Sequence, residues 1–354
     1  TKRSKTMKKL KRCIITQGID AYEITKTFNN TYIPQAGDVA VFEVQQLGKH
    51  TKMQVVGSGR LRHIFPGDHI LATFGNRYAT GQFEGYVPDT LADEYHILGQ
   101  GGAVGVLHSS HSKWVKVGPT TLQLVGYAVD EKGAIINTKY YGQEELRFNP
   151  NKVYPFKTIL SVGSSMDSGK TTTAAYLARG LRKAGQSVAY IKLTGTVYTK
   201  DKEFVEDCGA STVLDFSDVG FPSTYMCTME ELMNLHATLL NKVARFQPDF
   251  VVIEVADGLL QRETNRLLYY PAFMNTIDHV ILSCGDSMGV PFGLEILTGI
   301  GHRPFAISGL FTASPLLRVE VEQCCAVPVL SIADMQEVET ISTLLRTTAP
   351  LMAS

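Results

Sequence analysis

Short apolar runs separated by turn residues fill the first part of the chain, from residue 13 to about residue 145. Each covers four to six residues and follows a turn signal such as Pro66-Gly67-Asp68; the clearest runs are 39–44, 70–74, 122–127 and 134–137. Runs of this length between turns are typical of β-strands, and no long helical period interrupts them. The pattern predicts a small all-β barrel or sandwich domain over residues 13–145.

A different pattern begins after a polar segment at residues 146–157, which contains Pro150 and Pro155 and predicts a linker. Helical spacing of apolar residues predicts helices over 171–184, ending before Gly185, and over 229–246. Apolar runs predict strands at 159–162, 188–191, 250–253, 280–282, 306–310 and 328–330. The alternation predicts a doubly wound, mainly parallel α/β domain over residues 158–354.

The connection between the first of these strands and the first helix carries the strongest motif of the sequence. It consists of small and polar residues and ends in Gly-Lys-Thr-Thr: Gly163, Ser164, Ser165, Met166, Asp167, Ser168, Gly169, Lys170, Thr171 and Thr172. A loop of this kind turns backbone N–H groups toward a phosphate at the helix N-terminus, so we expect these residues to bind a nucleotide. Lys170 would reach the β- and γ-phosphates, and the Thr171 hydroxyl would bind Mg²⁺.

One position of the loop departs from the usual motif. Ser164 stands where the first glycine is expected, and Gly163 lies one residue early. Because both residues are small, we expect the turn to form.

Three further residues follow predicted strands and are candidates for the same site. Glu254 ends one apolar run, and we expect it to act as a catalytic and metal-binding carboxylate. Lys192 ends another, with Asp201 in the next loop; we expect Lys192 to contribute to catalysis and Asp201 to bind Mg²⁺ directly or through water. Ligands gather at the carboxyl ends of parallel strands. A solvated charge is the alternative for each residue, and Asp257 is a second candidate for the role of Glu254.

At these motifs, residues 160–335 resemble the branch of P-loop NTPases that contains dethiobiotin synthetase and the nucleotide-binding protein of molybdopterin-guanine dinucleotide biosynthesis. The matching residues are Lys170-Thr171, Lys192 to Gly195, Asp201 followed by Gly209-Ala210, and Glu254 to Gly258. The resemblance implies ATP and Mg²⁺ as cofactors. The segment 308–312 lacks the Asn that the synthetases place near the base, and no Asn-Lys-x-Asp guanine motif occurs, so ATP is favoured by default.

Two other resemblances bear on the whole chain. Uncharacterised bacterial P-loop proteins share the Lys-Leu-Thr-Gly stretch at 192–195 and the Asp-Val-Gly-x-Pro-Ser-Thr stretch at 218–224. Polynucleotide 5′-kinases of the cleavage-factor type share a β-rich N-terminal domain and an Asp-x-Gly-Lys-Thr loop, matched by residues 167–171. The Asp and Gln motif that these kinases carry after the second strand is missing here.

Charge and cysteine usage narrow the function classes. The chain has 34 basic and 34 acidic residues, a balance that argues against extensive nucleic-acid binding. Seven basic residues nevertheless crowd the first twelve positions, which we interpret as a solvated tail, with contact to nucleic acid or another anion as the alternative. The six cysteines form no CxxC pair, and no apolar run is long enough to span a membrane, so we expect reduced thiols and a cytoplasmic protein without membrane contact.

A glycine-rich stretch at residues 99–105 has two interpretations. Its glycines suit a turn, or a loop in which backbone approaches a ligand. His108 and His111 follow, but no third ligand is evident, so we favour the turn and expect no metal there.

The most specific hypothesis is an ATP- and magnesium-dependent enzyme that phosphorylates or activates a carboxylate or hydroxyl of a small molecule, as a kinase or a ligase does. A polynucleotide 5′-kinase and a regulatory or adaptor ATPase are the alternatives. The oligomeric state is left open, with a homodimer as one option.

Overall fold

A computed structural model describes residues 10–58, 60–142 and 146–347 of the protein. The chain divides into two compact units. The first, the barrel unit, comprises Thr1–Glu144, Thr196–Thr199 and Phe216–Met226; the second, the P-loop unit, comprises Glu145–Gly195, Lys200–Asp215 and Cys227–Ser354. The basic residues of the predicted tail lie outside the described residues, except Lys11 and Arg12, which form a short strand.

The barrel unit contains ten strands. They are β1 (Lys11–Arg12), β2 (Glu23–Thr25), β3 (Val39–Gln46), β4 (Lys52–Gln54), β5 (Leu61–His63), β6 (His69–Phe74), β7 (Phe83–Tyr86), β8 (Tyr95–Gly99), β9 (Ala103–Ser110) and β10 (Thr121–Val129). Five of them pair in the closed ring β6-β3-β10-β8-β9-β6, in which the β6–β9 pair is parallel and the other four are antiparallel. Ring closure makes this a small barrel, one of the two predicted architectures.

Both faces of the central barrel strands are buried, which explains why they appear in the sequence as continuous apolar runs. On β3, Val39 and Val41 pack with Leu71 in one cluster. Phe42 follows Val41 and so points to the opposite face of the strand, where it packs edge-to-face against Phe74, with ring centroids 5.3 Å apart. A strand buried on both faces shows no polar alternation.

Two predictions for the barrel unit have clear outcomes. Residues 134–137 are not a strand: Ile135 and Asn137 make only isolated bridges, because the Asp130 carboxylate accepts two loop amides and bends the chain there. The glycine-rich stretch is a hairpin turn between β8 and β9. Gly102 has a φ of +112°, and a Cβ there would lie 2.5 Å from the Cβ of Cys13, so the turn requires glycine.

The P-loop unit is built on a six-stranded, fully parallel sheet. Its strands are β11 (Lys157–Gly163), β12 (Val188–Lys192), β13 (Thr212–Asp215), β14 (Phe250–Glu254), β15 (His279–Ser283) and β16 (Ala306–Ser308), in the order β13-β12-β14-β11-β15-β16. The helices are α1 (Lys170–Lys183), α2 (Lys200–Asp207), α3 (Met229–Ala244), α4 (Arg262–Leu268), α5 (Pro271–Met274), α6 (Gly289–Gly299), α7 (Pro315–Cys324) and α8 (Val338–Thr347). The predicted parallel α/β sheet is confirmed, except that 328–330 contributes only a single bridge, from Val329 to Ile307.

The core of the P-loop unit forms where α1 lies on the sheet. Its apolar face, with Ala174, Leu177, Ala178 and Leu181, is buried as the helical spacing predicts. Gly185, with a φ of +82°, follows the end of the helix in the left-handed conformation that suits glycine. This packing holds the N-terminus of α1 at the end of β11.

The unit boundaries differ from a simple succession of domains. The predicted P-loop domain at 158–354 is interrupted twice, because 196–199 and 216–226 belong to the barrel unit. The described part of the predicted linker belongs to the P-loop unit, where the amides of Leu146 and Phe148 donate to the side chains of Thr238 and Asn234 on α3. In the described chain, no helix has both the length and the apolar character needed to cross a membrane.

Candidate functional site

The loop between β11 and α1 has the geometry of a phosphate-binding loop. β11 ends at Gly163 and α1 begins at Lys170. Gly169, the residue before the helix, has a φ of +99°, and Asp167 has a φ of +61°. The first helical hydrogen bond runs from the amide of Thr173 to the Gly169 carbonyl at 2.8 Å, so the preceding helix amides have no carbonyl acceptor within the helix. They form the concave N–H surface that binds phosphate in such loops.

The departure at Ser164 has a structural explanation. The Ser164 amide donates to the Ser283 carbonyl at 2.9 Å and so extends the pairing of β11 with β15 by one residue. The close approach falls on Gly163 instead, where a Cβ would lie 2.2 Å from the Ser168 hydroxyl and 2.7 Å from the Lys170 side chain. Glycine is therefore required one position earlier than in the usual motif.

Lys170 lies over the loop that precedes it. Its side chain is buried, and its ammonium donates to the Ser165 carbonyl at 2.7 Å and lies 3.5 Å from the Ser168 hydroxyl. Burial lowers the pKa of Lys170, while the carboxylates of Glu254 and Asp257 act in the opposite direction. An anionic ligand in the loop would replace the carbonyl contact with a charge-assisted hydrogen bond.

Glu254 contacts side chains from two elements of the P-loop unit, α1 and β12. It is almost fully buried, at 1% exposure, so it is not a solvated residue at a strand end. One carboxylate oxygen accepts the Thr171 hydroxyl at 3.0 Å, and the other accepts the Tyr190 hydroxyl at 2.8 Å. The Lys192 ammonium lies 3.6 Å from the carboxylate oxygen that accepts the Thr171 hydroxyl. The register of β12 with β14 places Glu254 directly opposite Lys192, while Thr171 comes from the first turn of α1.

Lys192 joins Glu254 to Asp201. It forms an ion pair with Asp201, which lies in the first turn of α2. Burial alone would lower the pKa of Lys192, but the carboxylates of Glu254 and Asp201 outweigh it and hold the pKa above its ordinary value. The three residues that the sequence predicted for one site are thus joined through Lys192, which contacts both Asp201 and Glu254. Glu254 also contacts Thr171.

Two further loops border the phosphate-binding loop. One contains Gly258, the last residue of the motif that begins at Glu254, and the other contains Gly309, in the segment 308–312 that lacks the expected Asn. Gly258 lies against the loop, where a Cβ would come within 2.5 Å of the Ser164 carbonyl oxygen. After β16, Gly309 has a φ of +114° and lies against Gly169, and the Leu310 amide donates to the Ser168 carbonyl at 3.1 Å. The sequence signal for the second loop is Gly309, which directly follows a parallel strand, because glycine permits close approach of two backbone segments.

The oxygen ligands suit Mg²⁺ better than a permanently bound transition metal. Thr171 and the two carboxylates offer hard oxygen ligands, and Mg²⁺ commonly takes one or two carboxylates together with phosphates and water. Across 10–58, 60–142 and 146–347, no three His, Cys, Asp or Glu side chains are grouped closely enough to hold a metal by themselves. His108 packs against Tyr86, and the His111 ring accepts the Lys113 amide.

Comparisons with solved structures find proteins that align with part of this chain at low sequence identity and low TM-score. The signal recognition particle receptor FtsY from Elizabethkingia anophelis in complex with GDP aligns at 18% identity over 57% of this chain and 68% of that chain, with a TM-score of 0.37. Cell division protein FtsY from Thermotoga maritima aligns at 18% identity over 58% and 72%, with a TM-score of 0.33. Hydrogenase maturation factor HypB from Archaeoglobus fulgidus aligns at 14% identity over 55% and 78%, with a TM-score of 0.32.

At these identities and TM-scores the alignments carry no argument about activity or nucleotide. None of the three proteins is a dethiobiotin synthetase, so the resemblance to that branch remains a hypothesis. No family model and no curated protein sequence matches the chain. The fold itself follows from the parallel sheet, the strand order and the loop between β11 and α1.

Proposed function

We propose that the P-loop unit binds a nucleoside triphosphate with Mg²⁺ and promotes transfer of its γ-phosphoryl group. ATP is the expected nucleotide, and a carboxylate or hydroxyl of a small molecule is the expected acceptor. The observation that carries the proposal is the series Thr171–Glu254–Lys192–Asp201 beside the phosphate-binding loop, joined by a hydrogen bond from Thr171 to Glu254 and by ion pairs of Lys192 with Glu254 and Asp201. It supplies oxygen ligands for a metal ion and cations for phosphate oxygens at one edge of the sheet.

Thr171, Glu254 and Asp201 are the residues that would hold the metal. Bound Mg²⁺ supplies positive charge that neutralises the β- and γ-phosphate oxygens. The Thr171 hydroxyl now donates to Glu254, so on metal binding it would turn its lone pairs toward the ion while Glu254 remains within reach. Glu254 also accepts the Tyr190 hydroxyl, which fixes the orientation of the carboxylate.

The two lysines would act on the transferring phosphoryl group. Lys170 and the loop amides would bind the β- and γ-phosphates, once the Lys170 ammonium leaves the Ser165 carbonyl. Lys192, held by two carboxylates, would place a second positive charge near the γ-phosphate. Preorganised charges of this kind stabilise the transition state because they need not reorient during the reaction.

The kinase or ligase hypothesis is supported by the resemblance to dethiobiotin synthetase at these motifs. A regulatory ATPase is favoured by a different observation: the segments 196–199 and 216–226, which follow β12 and β13, belong to the barrel unit. Chain segments that leave the nucleotide-binding sheet and return to it can transmit the state of a nucleotide. No described contact favours a polynucleotide 5′-kinase, a homodimer or a membrane-bound role.

Product analysis with γ-labelled ATP and γ-labelled GTP would test the proposal. Label on a metabolite supports a kinase, label released only in the presence of two substrates that become joined supports a ligase, and slow release without an acceptor supports a switch. Label on an oligonucleotide 5′ end would support the nucleic-acid alternative. If neither nucleotide loses its label under any of these conditions, phosphoryl transfer is not the function of this site.

A further inference from the structure

Two cationic side chains of the barrel unit meet at one glutamine. The Lys49 ammonium and the Arg77 guanidinium both donate to the same Gln82 side-chain oxygen, at 2.5 and 2.9 Å. Arg77 is held in place by a second hydrogen bond, to the Leu98 carbonyl at 2.7 Å. The two positive groups are therefore neighbours, joined through a neutral acceptor.

An indole ring forms one side of this cluster. The Lys49 ammonium lies 5.0 Å from the ring centroid of Trp114, and the Lys113 ammonium lies 5.6 Å from the same ring. The indole N–H donates to the Gly81 carbonyl at 3.1 Å, which fixes the plane of the ring. Trp114 is the chain's single tryptophan, so its fluorescence reports on this position alone.

The electrostatic surroundings of Lys49 are positive. Burial lowers the pKa of Lys49 to about 8, and Arg77 and Lys113 add to that shift. His50, whose ring lies 3.3 Å from the ammonium, adds no further positive charge, because burial lowers its pKa to about 3 and keeps it neutral. Within the described ranges, neither Lys49 nor Lys113 forms an ion pair with a carboxylate.

Like charges held close together cost free energy, the more so where they are partly buried, as Lys49 and Arg77 are, and a bound anion would relieve that cost. The ring of buried Phe83 also packs near Lys49, with its centroid 5.6 Å from the ammonium. We propose that Lys49, Arg77 and Lys113 form a binding site for the phosphate or carboxylate group of a small anionic molecule, with Trp114 packing against the rest of the ligand. The proposal rests on residues of the barrel unit and does not depend on nucleotide binding by the P-loop unit.

The test is a titration of the full chain with inorganic phosphate, followed by Trp114 fluorescence at constant ionic strength. We expect a saturable change in emission that chloride does not produce. Lys49→Met and Lys113→Met should each weaken phosphate binding about tenfold, the usual cost of one charge-assisted hydrogen bond. Lys116→Met, at an exposed lysine of the same segment, is the matched control and should leave the affinity unchanged.

Three further comparisons give the experiment its outcomes. Lys170→Ala should leave the fluorescence titration unchanged, which separates this site from the phosphate-binding loop. A sugar phosphate or a dicarboxylate that binds more tightly than phosphate would support the small-molecule assignment. An emission change that is linear in phosphate, or equal with chloride, would overturn the site, and a clear preference for single-stranded oligonucleotides would overturn the small-molecule assignment. Because Lys113 is exposed, Lys113→Met keeps the test valid should Lys49→Met not fold.

Discussion

The P-loop unit and the barrel unit each contain a lysine at the centre of a cluster of polar side chains, and the surroundings of these lysines have opposite sign. Lys192 is buried between Glu254 and Asp201, which hold its pKa above the ordinary value. Lys49 is half-buried beside Arg77 and Lys113, and its pKa falls to about 8. In the first cluster the lysine already pairs with two carboxylates, whereas Lys49 forms no ion pair with a described carboxylate and would gain an opposite charge from a bound anion.

This difference predicts two kinds of site. A lysine that is held by carboxylates can be fixed in place before the ligand binds, which suits stabilisation of a charged transition state. A cluster of like charges gains most from its ligand, which suits recognition of an anion. The experiments below test or sharpen this contrast, beginning with the largest expected effect.

Lys170→Ala should reduce nucleotide hydrolysis roughly a hundredfold or more, the range found when one preorganised charge donor is removed. The described hydrogen bonds of Lys170 reach only its own loop, so the fold should persist. Steady-state release of phosphate and a circular dichroism spectrum would measure both effects. Lys183→Ala, at the exposed end of α1, is the control and should keep full activity. Wild-type turnover in Lys170→Ala would contradict the assigned role of the loop.

Glu254→Gln should raise the Mg²⁺ concentration required for activity by about ten- to hundredfold, as loss of a group that holds or orients a metal ligand does. The amide keeps the shape but removes the charge that faces Thr171 and Lys192. Glu206→Gln, at an exposed position of α2, serves as the control. An unchanged Mg²⁺ dependence would mean that Glu254 only organises the core.

Gln54→Leu probes the segment 196–199, which belongs to the barrel unit and ends two residues before Asp201. The buried Gln54 side chain donates to the Thr199 hydroxyl at 3.0 Å and accepts the Thr199 amide at 3.1 Å. Loss of this anchor should raise the KM for the magnesium nucleotide roughly fivefold, a coupling of about 1 kcal/mol, with little change in kcat. Gln46→Leu, an exposed residue of β3, is the control. Equal KM values for both variants would show that this anchor does not position Asp201.

Sulfate binding to the Lys49 cluster should weaken as the pH rises through about 8. Lys49 is charged below its pKa and neutral above it, whereas Arg77 keeps its charge and His50 stays neutral across this range. The affinity should fall roughly tenfold from about one unit below that pKa to about one unit above it. Sulfate is the suitable probe because it does not titrate here, and Trp114 fluorescence is the measurement. A pH-independent affinity would exclude Lys49 from the site.

The phosphate-binding loop was predictable because all its residues are consecutive. The motif at 163–172, the strand before it and the helix after it are local patterns, and the parallel sheet then places the strand ends of Lys192 and Glu254 side by side. The role of Gly163 was not predictable, because it depends on the position of the Ser168 side chain after the loop has folded.

The cluster around Lys49 could not be predicted, because its members lie on three different connections of the barrel. Residues 49, 77, 82 and 114 have no shared periodicity, and only the closed ring of strands brings them together. The prediction of a strand at 134–137 was wrong for a related reason. Its apolar residues suit a strand, but the Asp130 side chain competes for the loop amides.

Calorimetric titration of the full chain with ATP and with GTP, each with and without Mg²⁺, tests the central claim most directly. The account predicts saturable, magnesium-strengthened binding at one site per chain, with ATP tighter than GTP, and loss of that binding in Lys170→Ala. The assignment of a nucleotide site to the phosphate-binding loop and the Lys192–Glu254 network would be contradicted if neither nucleotide binds. It would also be contradicted if Lys170→Ala and Mg²⁺ leave the binding unchanged.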